Sequence, residues 1–322
     1  MWITRYEAAM QKIFIANRGA IARRVVRACH ELGLQSVVVF SEADADAPYL
    51  AEASEAYPLV GNTPSQTYLN QAVLLAIAKD CGADAVHPGY GFLAENAEFA
   101  QAVLDHGMVF IGPRPEWLAR MGDKVAARRL MAQHGFPVFP GSERLETPEQ
   151  AAEFAAEIGY PVIVKPSGGG GGMGMVVVQH AERLANAMAQ ASAIAGSAFA
   201  DRGVYLERFL ERPRHIEFQI LGDGKGNAMH LYERECSIQR RNQKLLEESP
   251  APGLDPQQLG AIADRAASVC AELGYDNVGT LESLFSEAGE VGFLEMNTRI
   301  QVEHGVTEAV TGCDLVQTQI AL

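Results

Sequence analysis

The chain has 322 residues, of which 48% are hydrophobic and 20% charged, and its formal net charge is −14. This composition is ordinary for a globular protein and argues against disorder. Because the chain is acidic, no overall positive field attracts nucleic acid or an anionic membrane, and an anionic ligand needs local Arg and Lys clusters or metal ions.

Five cysteines are scattered along the chain without a C-x-x-C pair, which argues against a zinc site. The N-terminus lacks the apolar core of a signal peptide, and no apolar run approaches the ~18 residues of a membrane span. We therefore expect reduced thiols and a cytoplasmic location.

In the N-terminal part, apolar runs alternate with segments of helical periodicity. We expect strands at residues 12–16, 36–40, 84–87 and 108–111, and helices at residues 21–32, 68–79 and 96–105. This alternation predicts a doubly wound parallel sheet, whose ligands bind beyond the carboxyl ends of the strands. The loop after the first strand, residues 17–19, is not a G-x-G-x-x-G fingerprint, so a dinucleotide site is disfavoured.

A glycine run at residues 168–172 lies between two apolar segments. We expect strands at residues 162–165, 175–178 and 204–210, and a helix at residues 182–193. Glycine runs are often flexible linkers, but a run inside a hairpin lets bare backbone N–H groups approach phosphate oxygens, and Lys165 adds a charge beside it. No Gly-Lys-Ser/Thr follows, so the run is not a Walker A loop.

The C-terminal part predicts antiparallel hairpins. We expect strands at residues 215–221, 228–234, 280–285 and 292–297, and a helix at residues 256–273 with Asp255 as N-cap and Gly274 at its end. The chain ends at Leu322 inside another predicted helix, so we expect a domain that is cut short. Apolar side chains such as Leu315 and Ile320 are then expected to lie exposed.

A polar run at residues 293–304 carries the densest set of functional candidates. If the run stays extended, one face presents Glu295, Asn297, Arg299, Gln301 and Glu303. Two oxygen ligands beside a guanidinium suit Mg²⁺ and an anion, whereas the alternative is the solvated face of a half-buried strand. Glu282, on the preceding strand, is expected opposite Glu295, where the two carboxylates either hold Mg²⁺ or are independent surface groups.

The basic segment at residues 234–244 concentrates cations in an acidic protein. It is compatible with a solvated surface and equally with a site for ATP or bicarbonate.

Together these segments resemble the biotin carboxylase family of the ATP-grasp superfamily. The matching segments, in order, are IANRGAIARR, HPGYGFLAENAEFA, FIGP, MGDK, YPVIVKPSGGGGGMGM, RHIEFQIL, ERECSIQRRNQK, EESPAPG and FLEMNTRIQVEH, followed by VTE and TG. Carbamoyl phosphate synthetases share the fold but not this set. The resemblance implies an N-terminal extension (1–11), an α/β domain (12–122) and an incomplete α+β ATP-grasp domain (123–322) with a lid at about residues 138–210.

The resemblance also implies roles for individual residues. ATP phosphates would be bound by Lys124, Lys165 and the lid glycines Gly170, Gly171 and Gly172. The rest of the nucleotide would be bound by Glu207, Leu210, His215 and Gln239. Mg²⁺ would be bound by Glu282, Glu295 and Asn297. Bicarbonate would be surrounded by Lys244, Arg299, Gln301 and Val302, with Glu303 as the general base.

The implied reaction is ATP-dependent carboxylation of biotin through carboxyphosphate, with Mg²⁺ or Mn²⁺. The implied partners are a biotin carboxyl carrier and a carboxyltransferase, and a homodimer forms if the full-length domain is present. Three residues depart from the family pattern: Met173 replaces an Arg of the lid, Asn242 replaces a His, and Gly305 replaces a Pro. A nucleotide-binding module without turnover, or another ATP-grasp ligase, remains an alternative.

Overall fold

The computed structural model describes residues 10–168, 172–199 and 202–322. Residues 1–9 of the predicted N-terminal extension (1–11) lie outside these residues, as do Gly170 and Gly171. In the described part, strands form three sheets, which we call the N-terminal sheet, the lid sheet and the large sheet. None of the described helices is both long and apolar enough to cross a membrane.

The N-terminal sheet is parallel, in the order β3-β2-β1-β4-β5. Its strands are β1 (Lys12–Ile15), β2 (Gln35–Phe40), β3 (Glu55–Pro58), β4 (Ala85–His87) and β5 (Val109–Phe110). Its helices are α1 (Gly19–Glu31), α2 (Tyr49–Glu52), α3 (Gln71–Asp80) and α4 (Ala97–Asp105). The predicted doubly wound sheet is confirmed. The edge strand β3 was not predicted, because its four residues are half exposed and carry no apolar run.

Alternation along β1 explains why helices cover both faces of this sheet. Ile13 and Ile15 pack in one apolar cluster with α1, whereas Phe14 packs in the other with α3 and α4. Every one of these three side chains is fully buried. Buried strands of this kind read as continuous apolar runs, which is the pattern that made them predictable.

Two further helices, α5 (Pro115–Gly122) and α6 (Lys124–Gln133), lead from the N-terminal sheet to the lid sheet. The lid sheet has the order β7-β6-β8 and consists of β6 (Val162–Pro166), β7 (Val176–Val178) and β8 (Val204–Arg208). Helices α7 (Pro148–Ile158) and α8 (Leu184–Phe199) pack on one of its faces. The antiparallel pairing of β6 with β7 confirms the predicted hairpin around the glycine run.

The large sheet is antiparallel, in the order β11-β10-β9-β12-β13. Its strands are β9 (Arg214–Asp223), β10 (Ala228–Arg240), β11 (Gln243–Glu248), β12 (Asp276–Phe285) and β13 (Val291–Asn297). Helix α9 (Pro256–Leu273) packs on one face; Asp255 caps it and Gly274 ends it in the left-handed conformation, as predicted. Ile216, Phe218 and Ile220 of β9 point to this helix, so the intervening polar residues face the other side.

Helices α10 (His304–Thr311) and α11 (Leu315–Ala321) complete the described chain. Leu315 is fully buried and Ile320 is 4% exposed, because α11 packs in the apolar cluster of α1 and the N-terminal sheet. The expectation that these two side chains lie exposed is therefore wrong. The N-terminal sheet provides the cover, a long-range contact that no local pattern reveals.

Candidate active site

A cleft of about 620 Å³ opens between the lid sheet and the polar face of the large sheet. All of the predicted site residues that the structure describes line this one cleft: Lys124, Lys165, Gly172, Glu207, Leu210, His215, Gln239, Lys244, Glu282, Glu295, Asn297, Arg299, Gln301, Val302 and Glu303. Residues spread between positions 124 and 303 of the sequence therefore share one wall or floor, as a common ligand requires.

Three carboxylates, Glu217, Glu282 and Glu295, form a row across the large sheet at the floor of the cleft, which we call the acid row. Glu282 and Glu295 line the cleft, whereas Glu217 lies buried beside them. Glu282 of β12 lies directly opposite Glu217 of β9 on one side and Glu295 of β13 on the other. Glu217 is fully buried and Glu282 is 4% exposed. Like charges directly opposite each other destabilise a sheet, so this row requires cations.

Lys244 of β11 supplies a cation to this floor. Its ammonium contacts Glu217 and donates to Oε1 of Glu282 at 2.8 Å, to Oε1 of Glu303 at 2.6 Å and to Oε1 of Gln301 at 3.0 Å. One ammonium has three protons, so these four acceptors share it. Lys244 thus brings Glu303, from the end of the polar run, to the acid row.

Electrostatics keep these groups charged despite their burial. Burial alone would lower the pKa of Lys244, but the carboxylates of Glu282, Glu217 and Glu303 outweigh it and raise that pKa above its usual range. Burial alone would raise the pKa of Glu282, but His215 and Lys244 hold it well below its usual range. Lys244 and Glu282 are therefore both charged at neutral pH, whereas burial raises the pKa of the neighbouring Glu217 carboxyl.

A second cation, Arg234, lies behind the acid row and was not among the predicted site residues. Its side chain is fully buried and donates to Oε1 of Glu217 at 2.5 Å, Oε1 of Gln219 at 2.8 Å and Oγ1 of Thr307 at 2.6 Å. Glu217 is thus held between Arg234 and Lys244. The alternation His215, Glu217, Gln219 on β9 was the available signal for this polar face.

The polar run changes direction after β13. Asn297 ends the strand, and residues 298–303, which we call the polar turn, lead into α10, which begins at His304. The hypothesis of one extended face through residue 303 is therefore wrong. The polar side chains still converge because the turn folds back over the floor: Gln301 is 3% exposed and its Nε2 donates to Glu282 at 3.0 Å, while Val302 is 67% exposed at the rim.

His215 and Gln239 stand side by side on β9 and β10. Nε2 of His215 lies 2.7 Å from Oε2 of Glu282, and Nδ1 of His215 lies 2.9 Å from Nε2 of Gln239. The imidazole therefore links Gln239 to the acid row, and the predicted role of both residues in binding the nucleotide stays a prediction.

The lid side of the cleft presents two lysines. Lys165 of β6 forms an ion pair with Glu207 of β8, so in this structure Glu207 binds a cation rather than standing free for a nucleotide base. Lys124, at the start of α6, contacts Glu295. Burial and the neighbouring Lys165 ammonium lower the pKa of Lys124 to about 8. Two ammonium groups thus lie on this side of the cleft, and that of Lys124 already pairs with the acid row.

Apolar side chains that were not predicted as site residues form a wall beside these lysines. They include Ile163 on the lid sheet, Met175 just before β7, and Leu284 and Leu294 on the large sheet. With Leu210, they give the cleft the apolar lining that most ligand pockets have.

The three departures from the family pattern fall at different places. Asn242, at φ +63° in the turn between β10 and β11, meets the lid: a Cβ at Gly172 would lie 2.4 Å from its Nδ2. Met173 lines the cleft and is 54% exposed. Gly305 lies inside α10, where a Cβ added to it would meet nothing within 4 Å, and its expected loosening of the backbone remains a prediction.

The predicted Mg²⁺ ligands fit a hard cation in their donor atoms. Glu282 and Glu295 are cross-strand neighbours that provide carboxylate oxygens, and both bind ammonium groups here, so each carboxylate accepts a cation. Asn297 donates from Nδ2 to Glu282 at 2.7 Å and accepts at Oδ1 from Arg299 at 2.8 Å. Binding a metal through its oxygen therefore requires Asn297 to turn.

The chain is similar to known proteins over nearly its whole length. Residues 9–118 match the family model described as "Biotin carboxylase, N-terminal domain", and residues 123–322 match "Carbamoyl-phosphate synthase L chain, ATP binding domain". The chain is 50% identical over 318 residues to a biotin carboxylase of Allochromatium vinosum, covering 98% of this chain and 70% of that protein. This chain belongs to the biotin carboxylase family.

Further relatives of this chain support the same family and fold. One pyruvate carboxylase subunit of Methanothermobacter thermautotrophicus is 50% identical over 310 residues, which cover 96% of this chain but 63% of that protein. Among solved structures, the biotin carboxylase–β,γ-ATP complex from Campylobacter jejuni has a TM-score of 0.95 at 44% identity, covering 97% of this chain and 70% of that one. The predicted ATP-grasp fold is thus confirmed, and this chain spans about two thirds of its relatives' length.

One further solved relative was captured with ligands. The biotin carboxylase domain of Hydrogenobacter thermophilus 2-oxoglutarate carboxylase, in complex with MgADP, ADP and bicarbonate, has a TM-score of 0.93 at 46% identity, covering 97% of this chain and 69% of that domain. A biotin carboxylase fold of this kind therefore binds both a magnesium nucleotide and bicarbonate.

Proposed function

We propose that this chain catalyses the ATP-dependent carboxylation of biotin through activation of bicarbonate. The observation that carries the proposal is the contact of Lys244 with Glu303, Gln301 and Glu282 at the floor of a cleft whose opposite side presents Lys124 and Lys165. A carboxylate base and an anion site thus lie beside cations suited to phosphates. The relative that binds MgADP and bicarbonate supports the same pairing of ligands.

The proposed nucleotide site uses the lid side of the cleft. Lys124 and Lys165 bind phosphate oxygens as point charges, and Gly172, which has no side chain of its own, offers its backbone N–H to them. The adenine ring packs against the apolar wall that includes Ile163 and Met175. We infer that Lys165 exchanges Glu207 for phosphate when ATP binds, which frees the Glu207 carboxylate for the nucleotide.

The proposed magnesium site lies on the acid row. Glu282 and Glu295 would hold Mg²⁺ that arrives with ATP, and Asn297 would join them after its amide turns. A metal held there would neutralise charge on the transferred phosphoryl group. Among the described residues, two other clusters combine the acid row with softer donors, His215 with Glu217 and Glu282, and Cys236 with Glu217 and Glu303. The all-oxygen set of Glu282, Glu295 and Asn297 suits Mg²⁺ better than either of these two clusters.

The proposed bicarbonate site lies on the polar turn. Arg299 fixes the anion, Lys244 and Gln301 contact it, and the Glu303 carboxylate accepts its proton. A bicarbonate oxygen then attacks the γ-phosphorus, the bond to ADP breaks, and carboxyphosphate forms. Carboxyphosphate separates into CO2 and phosphate, the released phosphate accepts the proton from N1 of biotin, and that nitrogen attacks CO2. The chain's own residues thus supply positioning, charge and one proton acceptor.

We further propose the physiological setting. The division into residues 12–122 and 123–322 predicted from the sequence is supported by the boundaries of the two family models. A biotin carrier and a carboxyltransferase are the proposed partners, since a pyruvate carboxylase subunit is among the relatives. A homodimer is consistent with the Hydrogenobacter thermophilus domain, which was solved as a dimer. The departures Met173 and Asn242 are proposed to weaken nucleotide binding, because they remove positive charge.

Phosphate release from MgATP tests the proposed activity. We expect release that requires bicarbonate, rises further when free biotin is added, and stops when EDTA removes the metal. Calorimetry of MgATP binding on the same sample provides the control. Binding without any bicarbonate-dependent release would favour a nucleotide-binding module, and release that bicarbonate does not change would favour a different ATP-grasp ligase. Either result would overturn the proposed activity.

A further inference from the structure

Three contacts orient the guanidinium of Arg299 in the cleft. Its Nε donates to Oε2 of Glu95 at 2.9 Å, its Nη2 to Oδ1 of Asn297 at 2.8 Å, and its Nη1 to the carbonyl of Ile300 at 3.3 Å. Asn297 and Ile300 are near neighbours in sequence, but Glu95 is 204 residues away. The orientation of Arg299 therefore depends on a residue from a distant part of the chain.

Glu95 binds the polar turn with both of its oxygens. While Oε2 accepts from the Arg299 side chain, Oε1 accepts from the backbone N–H of Thr298 at 3.2 Å. The neighbouring Ile300 is fully buried in the apolar cluster of the N-terminal sheet. Backbone and side chain of the turn are thus both fastened to the N-terminal sheet.

The loop that carries Glu95 is itself held firmly. It follows β4, and its backbone closes on a hydrogen bond from the N–H of Ala94 to the carbonyl of Gly91 at 2.9 Å. Leu93 and Ala94 are 4% and 1% exposed. Asn96 caps α4 by accepting from the N–H of Phe99 at 2.7 Å. The Glu95 carboxylate therefore occupies a position that the N-terminal sheet defines.

We propose that Glu95 is a positioning residue for the anion site: it aligns Arg299 for bicarbonate and so couples the placement of the N-terminal sheet to that site. The inference rests on the proposed function, in which Arg299 fixes bicarbonate. Two effects of Glu95 oppose each other, because its negative charge also disfavours an anion nearby. The Glu95 side chain is 41% exposed and that of Arg299 21%, so solvent limits the charge effect to about fivefold. Misplacement of a binding group costs up to about 10²-fold, so alignment dominates.

The variants Glu95→Ala and Glu95→Gln, made in the full chain, test this inference. We expect Glu95→Ala to raise the bicarbonate KM in the phosphate-release assay at least tenfold and to leave the MgATP KM within about twofold. Glu95→Gln keeps one acceptor oxygen and is expected to lie between Glu95→Ala and the unaltered chain. Calorimetric titration with bicarbonate alone is expected to show the same order of affinities.

Asp276→Ala is the matched control. Asp276 also accepts one backbone and one side-chain hydrogen bond, both from Arg114, at 3.1 and 2.8 Å, and so links the large sheet to the segment after the N-terminal sheet. It lies outside the cleft, so both KM values should stay unchanged. An unchanged bicarbonate KM in Glu95→Ala would overturn the role of Glu95 but not the proposed function. The same holds if the bicarbonate and MgATP KM values rise equally in Glu95→Ala and in Asp276→Ala. Absence of bicarbonate-dependent release from the unaltered chain would overturn the proposed function together with this role.

Discussion

Glu303→Gln is expected to lower bicarbonate-dependent phosphate release by about 10²–10⁴-fold, the usual contribution of a general base. The amide has nearly the shape of the carboxylate but cannot accept the bicarbonate proton. Its oxygen still accepts from Lys244, which contacts Glu303 at 2.6 Å in the structure. The variant should therefore fold and bind MgATP in calorimetry with little change, while the rate falls.

Glu287→Gln is the control for this variant. Glu287 lies in the turn between β12 and β13, its side chain is 65% exposed, and its ion pair with Arg212 is worth little at the surface. We expect its phosphate release to match that of the unaltered chain. If Glu303→Gln keeps its full bicarbonate-dependent rate, Glu303 is not the base.

Lys244→Met is expected to have a large effect on both stability and turnover. Loss of the ammonium leaves Glu217, Glu282 and Glu303 close together without their shared cation. Breaking a buried ion pair from one side costs about 3–5 kcal/mol, and we expect the free energy of unfolding, measured with urea without nucleotide or metal, to fall by about that amount. Phosphate release should fall to background, because the anion loses a binding group.

Two controls separate the charge of Lys244 from its geometry. Lys244→Arg restores the charge, but a planar guanidinium does not fit four acceptors arranged around a point charge, so stability should recover more than turnover. Lys225→Met, at an exposed position in the turn between β9 and β10, should change neither. A Lys244→Met protein as stable as the unaltered chain would contradict the role of Lys244 in holding the acid row together.

Local patterns were enough to predict most strands of the three sheets, but not the edge strands β3 and β11. The apolar run of β1, buried on both faces, and the two segments of β12 and β13 on either side of a polar turn are each recognisable locally. The opposition of Glu282 and Glu295 also followed from a simple hairpin, and the structure confirms it. Such features depend on neighbours within one hairpin or one strand, which the sequence displays directly.

Other features depend on contacts between distant segments. The sequence left open whether Arg234 belongs to a solvated basic surface or to a site for ATP or bicarbonate. Register across β9 and β10 buries it against Glu217. Likewise, the polar turn could be placed only once Ile300 was known to be buried with the N-terminal sheet. Gln301 and Glu303 reach the acid row through this turn, although the reason offered from the sequence, a single extended face, was wrong.

Transfer of labelled carbon from bicarbonate to free biotin tests the central claim most directly. With MgATP, labelled bicarbonate and biotin, we expect label to appear in acid-labile carboxybiotin, to depend on ATP, and to disappear in Glu303→Gln. Phosphate release without label in biotin, at biotin concentrations that stimulate the release, would contradict biotin carboxylation by this chain.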